Sequence, residues 1–389
     1  MSLSTEPSAD LAESASQSES AAQEAMLLDE LRLCLAPGVG PRLRQLLLER
    51  FGSAREVLAA APSDLREVPG IGTKISRAIV DARNESPAAA LVDECRRNEI
   101  ALLLSSADSY PRMLKEIVDP PGVLFVKGRL LPCDALSIAI VGSRHATHYG
   151  LTQAERLASG LARAGLTIIS GLARGVDAAA HQGALAAGGR TIAVLGSGVL
   201  NIYPPEHQKL AADVIAHGAL ISEAAPHSEP FSGAFPQRNR IISGLSLGVI
   251  VVEASRQSGA LITARLANEQ GRQVFAVPGR VDNRMSQGCH RLIRDGAKLV
   301  ESIDDVLEEL GPLVEATPSA TGQPIHHPAE LSLNEIEQQI LSAISAEPTS
   351  IDQVIAVSRL PPPQVLATLS VLEMRRLVRR LSGSMVVRM

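Results

Sequence analysis

Ile138-Ala139-Ile140-Val141 is an unbroken apolar run that ends on Gly142-Ser143-Arg144. Such a run reads as a parallel strand buried on both faces, and in an open α/β sheet ligands sit at the carboxyl ends of the strands. The residues at this end suit an anion. Gly142 permits close backbone approach, Ser143 and the following amides donate hydrogen bonds, and Arg144 supplies a planar fork of donors matched to phosphate. The pattern recurs where Thr167-Ile168-Ile169-Ser170 runs into Gly171-Leu172-Ala173-Arg174-Gly175-Val176-Asp177. Two strand ends that each offer glycine, hydroxyl and arginine predict a phosphate cradle.

Two further stretches extend it. In Phe235-Pro236-Gln237-Arg238-Asn239-Arg240, a proline at a helix start is followed by two cations and an amide. The exposed N–H groups of a helix entrance already favour phosphate there. The competing reading has Arg238 and Arg240 paired with carboxylates such as Glu223 or Glu253; two arginines flanking an asparagine beside a glycine-rich sheet edge favour the ligand. At Glu253 to Ala264, Ser258, Gly259 and Thr263 mark another strand-to-helix turn able to hydrogen-bond a sugar-phosphate chain. Capping of its own helix explains Thr263 equally well.

Catalysis would need a placed acid, base or nucleophile. Asp177 reads as a helix cap or an orienter of Arg174, and His181, set among Ala178, Ala179, Ala180 and Ala184, as a packed residue. Glu223 and Glu253 end strands. The chain has no GxxxxGK[ST] loop, no GxGxxG follows the first strand, and Gly196-Ser197-Gly198 is too short for a dinucleotide fingerprint. ATP hydrolysis and hydride transfer find no support.

The elements that must position these turns alternate. Strands are predicted at 137–141, 167–170, 191–195, 219–221, 248–252, 273–277 and 297–299, with helices at 150–164, 177–187, 206–217, 260–270 and 302–310. Alternation of this kind means a mostly parallel sheet covered on both faces. N-terminal to it, residues 1–25 are polar and acidic and read as a disordered tail. Residues 26–100 hold a helical pattern with a repeat: Pro37-Gly38-Val39-Gly40 and, 32 positions on, Pro69-Gly70-Ile71-Gly72, each followed by a helix. This resembles a helix-hairpin-helix pair, a module that grips DNA backbone or serves as a scaffold. Residues 101–311 form the sheet domain, with a short strand at Val123 to Val126. Residues 312–331 are a Pro-, Thr- and Ser-bearing linker. Residues 332–389 follow a winged-helix plan, with helices at 333–346, 351–357 and 362–377 and a small β wing after Leu381. Val365, Leu366, Leu369 and Leu372 mark the apolar side of its third helix. The opposite side has no Lys or Arg before Arg375, so it makes a poor reader of base edges.

Composition narrows the partners. The 389 residues carry a net charge of −5, so any nucleic-acid surface is a local basic patch. Aromatics are 2% with no tryptophan, so a strand is held mainly through phosphates, helped by one or two rings such as Phe235 or Phe275. Cys34, Cys95, Cys133 and Cys289 are widely spaced, with no CxxC or Cys/His cluster. Reduced thiols, no metal, no cofactor and a cytoplasmic location are expected. No basic, apolar leader and no membrane-length apolar run is present.

Taken together, Gly142-Ser143-Arg144, Tyr149-Gly150, Ser170 to Asp177 with Ala180-His181, Thr191 to Gly198 with Tyr203-Pro204, Phe235-Pro236-x-Arg238-Asn239-Arg240, Val252-Glu253-Ala254, Ser258 to Ala264 and Val274 to Gly279 closely resemble the bacterial DNA-processing protein A family (DprA, also called Smf). The resemblance spans about Ala107 to Gly311. It implies an extended Rossmann-like domain that binds single-stranded DNA without catalysis, dimerises, and delivers the strand to the RecA recombinase in natural transformation and competence. The flanking modules look like those of longer members. Carried over, Arg144 and the Gly171 turn would clamp phosphates, Arg238 and Arg240 would extend the track, and Lys209 would add a cation. Gly288-Cys289-His290 departs from the Gly-Thr-Asn of many relatives. The alternative, a nucleotide-processing phosphoribohydrolase of similar fold, usually shows a Pro-Gly-Gly-x-Gly-Thr-x-x-Glu stretch that is missing here. A winged-helix regulator would need a basic recognition face.

Overall fold

A computed structural model describes residues 9–85, 87–311, 316–319 and 322–389. The chain divides into two compact units, one running to Lys127 with Ser222–Pro226, the other Gly128–Ile221 with His227–Met389.

The first unit holds helices α1 (Ala9–Leu35), α2 (Pro41–Phe51), α3 (Ala54–Ala59), α4 (Pro62–Leu65), α5 (Thr73–Glu85) and α6 (Ala88–Arg97), then strand β1 (Ile100–Leu104), helix α7 (Arg112–Lys115) and strand β2 (Val123–Gly128). The polar tail expected over 1–25 is helical from Ala9 onward. Its composition lacks apolar anchors, but the six alanines of residues 9–25 have the highest helix propensity of any residue type, which a reading by polarity overlooks. Residues 1–8 lie outside the described residues.

The repeated Gly-x-Gly turns are real and interlocked. Gly38 and Gly70 adopt φ +89° and +91°, a conformation side chains resist. A Cβ on Gly38 would lie 3.1 Å from Ile75, and one on Gly70 would lie 3.0 Å from Leu43. Leu43 and Ile75 are themselves 32 positions apart, so each hairpin seats a side chain of the other on its turn. Leu33, Leu47, Leu65 and Ile79, none of them exposed, fill the shared core. Besides the strand expected at Val123 to Val126, the chain forms β1, which pairs antiparallel with β2 from Ile100↔Lys127 to Leu104↔Val123.

In the second unit, strands β3 (Ser137–Val141), β4 (Thr167–Ser170), β5 (Thr191–Leu195), β6 (Gly218–Ser222), β7 (Gly248–Val251), β8 (Gln273–Ala276) and β9 (Lys298–Leu299) lie in the order β6-β5-β4-β3-β7-β8-β9. The β4–β5, β3–β4, β3–β7, β7–β8 and β8–β9 pairs are parallel. The chain winds outward from β3 on one side, then crosses to β7, so the topological switch lies between β3 and β7. Helices α8 (His148–Ala164), α9 (Val176–Ala186), α10 (Gln208–His217), α11 (Ala234–Gly244), α12 (Ala260–Glu269), α13 (Gln287–Arg294) and α14 (Ile303–Glu309) connect the strands. Thr147 caps α8 by accepting from Gly150 N–H, and Gly165 at φ +104° ends it. Ile138, Ile140, Leu161, Val252 and Phe275 are at most 1% exposed in the core. Each such side chain contributes about 1.5–3 kcal/mol by burial. Phe275 is thus a core ring, not one a strand could reach.

The stretch read as a linker is only partly one. Residues 312–315 and 320–321 lie outside the described residues. Strands β10 (Thr317–Pro318) and β11 (Pro324–Ile325) pair as a hairpin. Ile325 at its end and His327 and Ala329 beyond it are buried, and Leu331 packs against the core of the sheet domain. Apolar residues between the prolines explain the docking that a reading by Pro and Thr content missed. The C-terminal module comprises α15 (Glu335–Ser342), β12 (Thr349–Ser350), α16 (Ile351–Ser358), α17 (Pro362–Met374), β13 (Val378–Leu381) and β14 (Met385–Arg388), with sheet order β12-β14-β13. Val365, Leu369 and Leu372 of α17 are buried as expected. Leu366 is 43% exposed and belongs to the outer face instead. There Arg380 reaches back from β13 to Ser370 Oγ at 2.8 Å and to Glu373 at 3.2 Å.

Candidate nucleic-acid interface

The turn after β3 is tied into its neighbours. Ser143 N–H donates to the Glu253 carbonyl at 2.8 Å, and Val176 N–H donates to the Ser143 carbonyl at 3.2 Å. A Cβ on Gly142 would stand 2.6 Å from Val176 Cγ2 and 3.0 Å from Glu253 O. The glycine therefore serves chain packing, not the close ligand approach expected of it. Ser143 is 9% exposed, and its hydroxyl accepts from His145 N–H at 3.1 Å. Glu253 is 1% exposed; its carboxylate accepts from Thr147 N–H at 2.8 Å and Thr147 Oγ1 at 2.6 Å. Across the same crevice Ala254 N–H donates to Met285 O at 2.7 Å, and Gly288 N–H donates to Ala254 O at 2.8 Å. The switch point, where Rossmann-like sheets usually seat a nucleotide, is closed by the chain's own loops.

The open ground lies one step over, at the ends of β3, β4 and β5. Arg144, Gly171 and Arg174 line one pocket there with Gly196, Ser197, Tyr203, Pro204 and Phe235. The exposed Arg144 guanidinium lies over the Phe235 ring, 4.7 Å from its centroid. Tyr203, joined to Pro204 by a cis peptide, has its ring 6.0 Å from that of Phe235. A cation held flat on an aromatic face keeps its outer N–H edge available to phosphate while the ring screens it from water. Among the described residues no carboxylate pairs with Arg144. Arg174, also exposed, is bound by Glu206, and both side chains are 50% exposed.

The Gly171 turn is held from beneath. Asp177 Oδ2 accepts from Gly171 N–H at 3.2 Å and from Ala173 N–H at 3.4 Å. Those two amides are therefore committed to the fold, and Asp177 orients the turn, not Arg174 directly. Arg238 is 6% exposed, and its Nη1 donates to the Gly171 carbonyl at 2.6 Å and to the Val194 carbonyl. A Cβ on Gly171 would stand 2.2 Å from that nitrogen, so the glycine makes room for the arginine. Burial pushes the Asp177 carboxyl up against the pull of Arg238. Burial also brings Arg238 down to about 10.

Arg240 is 5% exposed and Thr263 2%. The surface track expected from Arg238 and Arg240 is accordingly not a surface: both are buried residues of α11. The helix begins at Ala234, not at Pro236, so position 238 lies past its entrance, and the bare Gly171 leaves space for its side chain inside. Ser170 is buried, its hydroxyl donating to Ile140 O at 2.6 Å. Lys209 and Gly259 are exposed, and Asn239 and Ser258 half-buried; none of the four lines the pocket. Tyr203, Pro204 and Ser197 were not marked as site residues; the scarcity of aromatics was the signal that Tyr203 belonged with Phe235.

Of the groups considered for catalysis, Asp177, Glu253 and His181 are held in hydrogen bonds within the fold. His181 is fully buried. Its Nδ1 lies 2.7 Å from Thr191 Oγ1, whose own proton goes to Ile168 O at 2.7 Å. Nδ1 therefore carries the hydrogen, and burial lowers the imidazole to about 3. Cys289 is buried with Sγ 3.5 Å from Val251 O and 3.6 Å from Val252 O, and His290 Nε2 meets Gly279 O at 3.0 Å. The departure at 289–290 thus falls on positions that join loops to the sheet. All four cysteines are free thiols. Among the described residues no cluster could hold a metal ion, and no helix is long and apolar enough to cross a membrane.

Comparison with known proteins agrees with this architecture. Residues 101–311 match the family model of DNA recombination-mediator protein A, residues 324–384 the DprA winged helix domain, and residues 30–85 a SAM-like helix-hairpin-helix tandem. Protein Smf of Synechocystis is 38% identical over 377 residues, covering 89% of this chain and 94% of that protein. The DNA processing protein DprA of Streptococcus pneumoniae is 48% identical over 203 residues, 52% of this chain and 71% of that one. The X-ray structure of the pneumococcal protein aligns at a TM-score of 0.63 and 37% identity, covering 72% of this chain and 96% of that chain. A Rossmann-like sheet domain matched by that family model, with a helix-hairpin-helix tandem before it in the sequence and a winged helix after it, thus places the chain in the DNA recombination-mediator protein A (DprA/Smf) family.

Proposed function

We propose that this protein binds single-stranded DNA without catalysing its cleavage, protects it, and loads the RecA recombinase during natural transformation and recombination. It does so in the cytoplasm, as a homodimer formed through the Rossmann-like domain. The observation that carries the binding step is Arg144 lying on Phe235 at the mouth of an open pocket. One residue pair offers a phosphate contact and an aromatic edge at the same point, which suits a polymer of alternating charge and base. Lys209, Asn239, Ser258 and Gly259 are the accessible remainder of the expected track. Gly142, Ser143, Ser170, Gly171, Arg238, Arg240 and Thr263 support it from beneath. RecA delivery and dimerisation rest on the family resemblance.

The test is titration of fluorescent oligo(dT) against duplex of equal length at several salt concentrations. Steep salt dependence with little base preference is expected, and Arg144→Ala should flatten the logarithmic salt slope by about 0.7, one phosphate contact on a single strand. Unchanged affinity and slope in Arg144→Ala would refute the reading. Incubation with 5′-nucleotides, followed by assay for released base, addresses the phosphoribohydrolase alternative; base release would replace the binding reading with an enzymatic one.

A further inference from the structure

One of the pocket's two arginines already holds an anion. Glu206 sits in the short 3-10 turn Pro205–His207 that follows the Tyr203–Pro204 cis peptide, and its carboxylate holds the Arg174 guanidinium. Arg144 and Arg174 are the two exposed cations of the pocket, yet only Arg144 presents itself without a carboxylate partner. The contrast is one of chain placement. Arg144 is backed by an aromatic ring, whereas Arg174 faces a carboxylate on a different turn.

We infer that Glu206 is a specificity-determining residue, an internal stand-in for phosphate that a strand must displace from Arg174 to occupy the whole pocket. The inference rests on the single-strand reading above and deepens it. An ion pair with both partners half-exposed is weak, so a polyanion whose neighbouring phosphates are already anchored at Arg144 displaces it readily. A lone nucleotide, engaging one phosphate site, gains little from the exchange. Glu206 thereby weights recognition toward polymers over free nucleotides. After displacement the bared carboxylate takes up a cation from solution. This offsets one of the counterions that the strand releases.

Three readings of one titration test this. Full-length wild type, Glu206→Gln, Arg174→Ala and the double variant are titrated with oligo(dT) at several salt concentrations, with dTMP as a competitor. Glu206→Gln should tighten oligo(dT) binding about two- to fivefold, the scale of an exposed ion pair, and steepen the salt slope by about 0.7. It should also make dTMP a better competitor, and lose these effects in the Arg174→Ala background. Weaker binding in Glu206→Gln would mean that the carboxylate merely positions Arg174, and would overturn the inference. So would unchanged binding, or an equal gain in the Arg174→Ala background. If wild type itself fails to bind oligo(dT), the single-strand reading fails; if wild type binds and Glu206→Gln does not tighten, only the role of Glu206 fails.

Discussion

Arg238→Ala separates a strut from a ligand contact. The guanidinium donates to the carbonyls that end β4 and β5, Gly171 O and Val194 O, from a side chain 6% exposed. Hydrogen bonds from a charged donor are worth about 1.5–3 kcal/mol each, and breaking a buried charge pair costs about 3–5 kcal/mol. The cation's own desolvation, which brings it to about 10, keeps the net at the lower of these sums, about 3–5 kcal/mol. For a domain of this size that is a fall in Tm of about 6–20 °C, at about 2–4 °C per kcal/mol. Differential scanning calorimetry of Arg238→Ala beside Arg144→Ala reads it directly: a large shift for the first, within a degree or so for the second. Asp177 supplies an independent check. Burial holds its carboxyl above 3.8, and Arg238 opposes that rise. A carboxyl raised in the folded state keeps a proton that the unfolded chain has released, so stability falls as pH climbs from 3.8 through the folded value. Without Arg238 the folded value climbs further, and the deficit of Arg238→Ala should be smaller at about pH 5 than at about pH 8. A variant that melts with wild type yet loses oligo(dT) affinity would refute the strut and restore Arg238 as a direct contact.

The remaining predictions address other parts of the same layer. Phe235→Ala should weaken oligo(dT) binding by about 1–3 kcal/mol, the worth of one stacked base, with a smaller loss for an abasic oligonucleotide in the same anisotropy assay. Gly175→Ala should lower Tm sharply or abolish soluble expression, because Gly175 holds φ +75° and an added Cβ would stand 2.2 Å from Ser143 O. Acid titration of stability should show the protonation of His181. Its imidazole is lowered from 6.5 to about 3, so stability is full above 6.5 and declines as pH falls toward about 3, at up to about 1.4 kcal/mol per pH unit. His181→Asn should remove about one proton from that slope, measured by urea unfolding across the window.

Much of the sheet was legible because its strands are short apolar runs cut off by glycine-rich turns. The expected 137–141, 167–170 and 191–195 coincide with β3, β4 and β5. The site was less legible because the direction of a side chain at a strand end is a property of pairs. Arg238 points inward because Gly171, 67 positions away, has no side chain to exclude it. Nothing in either stretch alone reveals that match. Asp177 misled in the same way: a carboxylate beside an arginine in sequence suggests an ion pair, but the turn brings backbone N–H groups nearer. Helix α13 and strand β1 escaped notice for a simpler reason. One is short and polar on half its surface, and the other resembles the tail of a helix until β2 is laid against it.

The mutual seating of the two N-terminal hairpins also sets where this chain can be cut. Gly38 lies against Ile75 and Gly70 against Leu43, so removing either half strands an apolar side chain of the survivor in water. Any shortened form should keep both halves or discard both. A protease that nicks between them should leave two fragments that stay together until denaturant separates them.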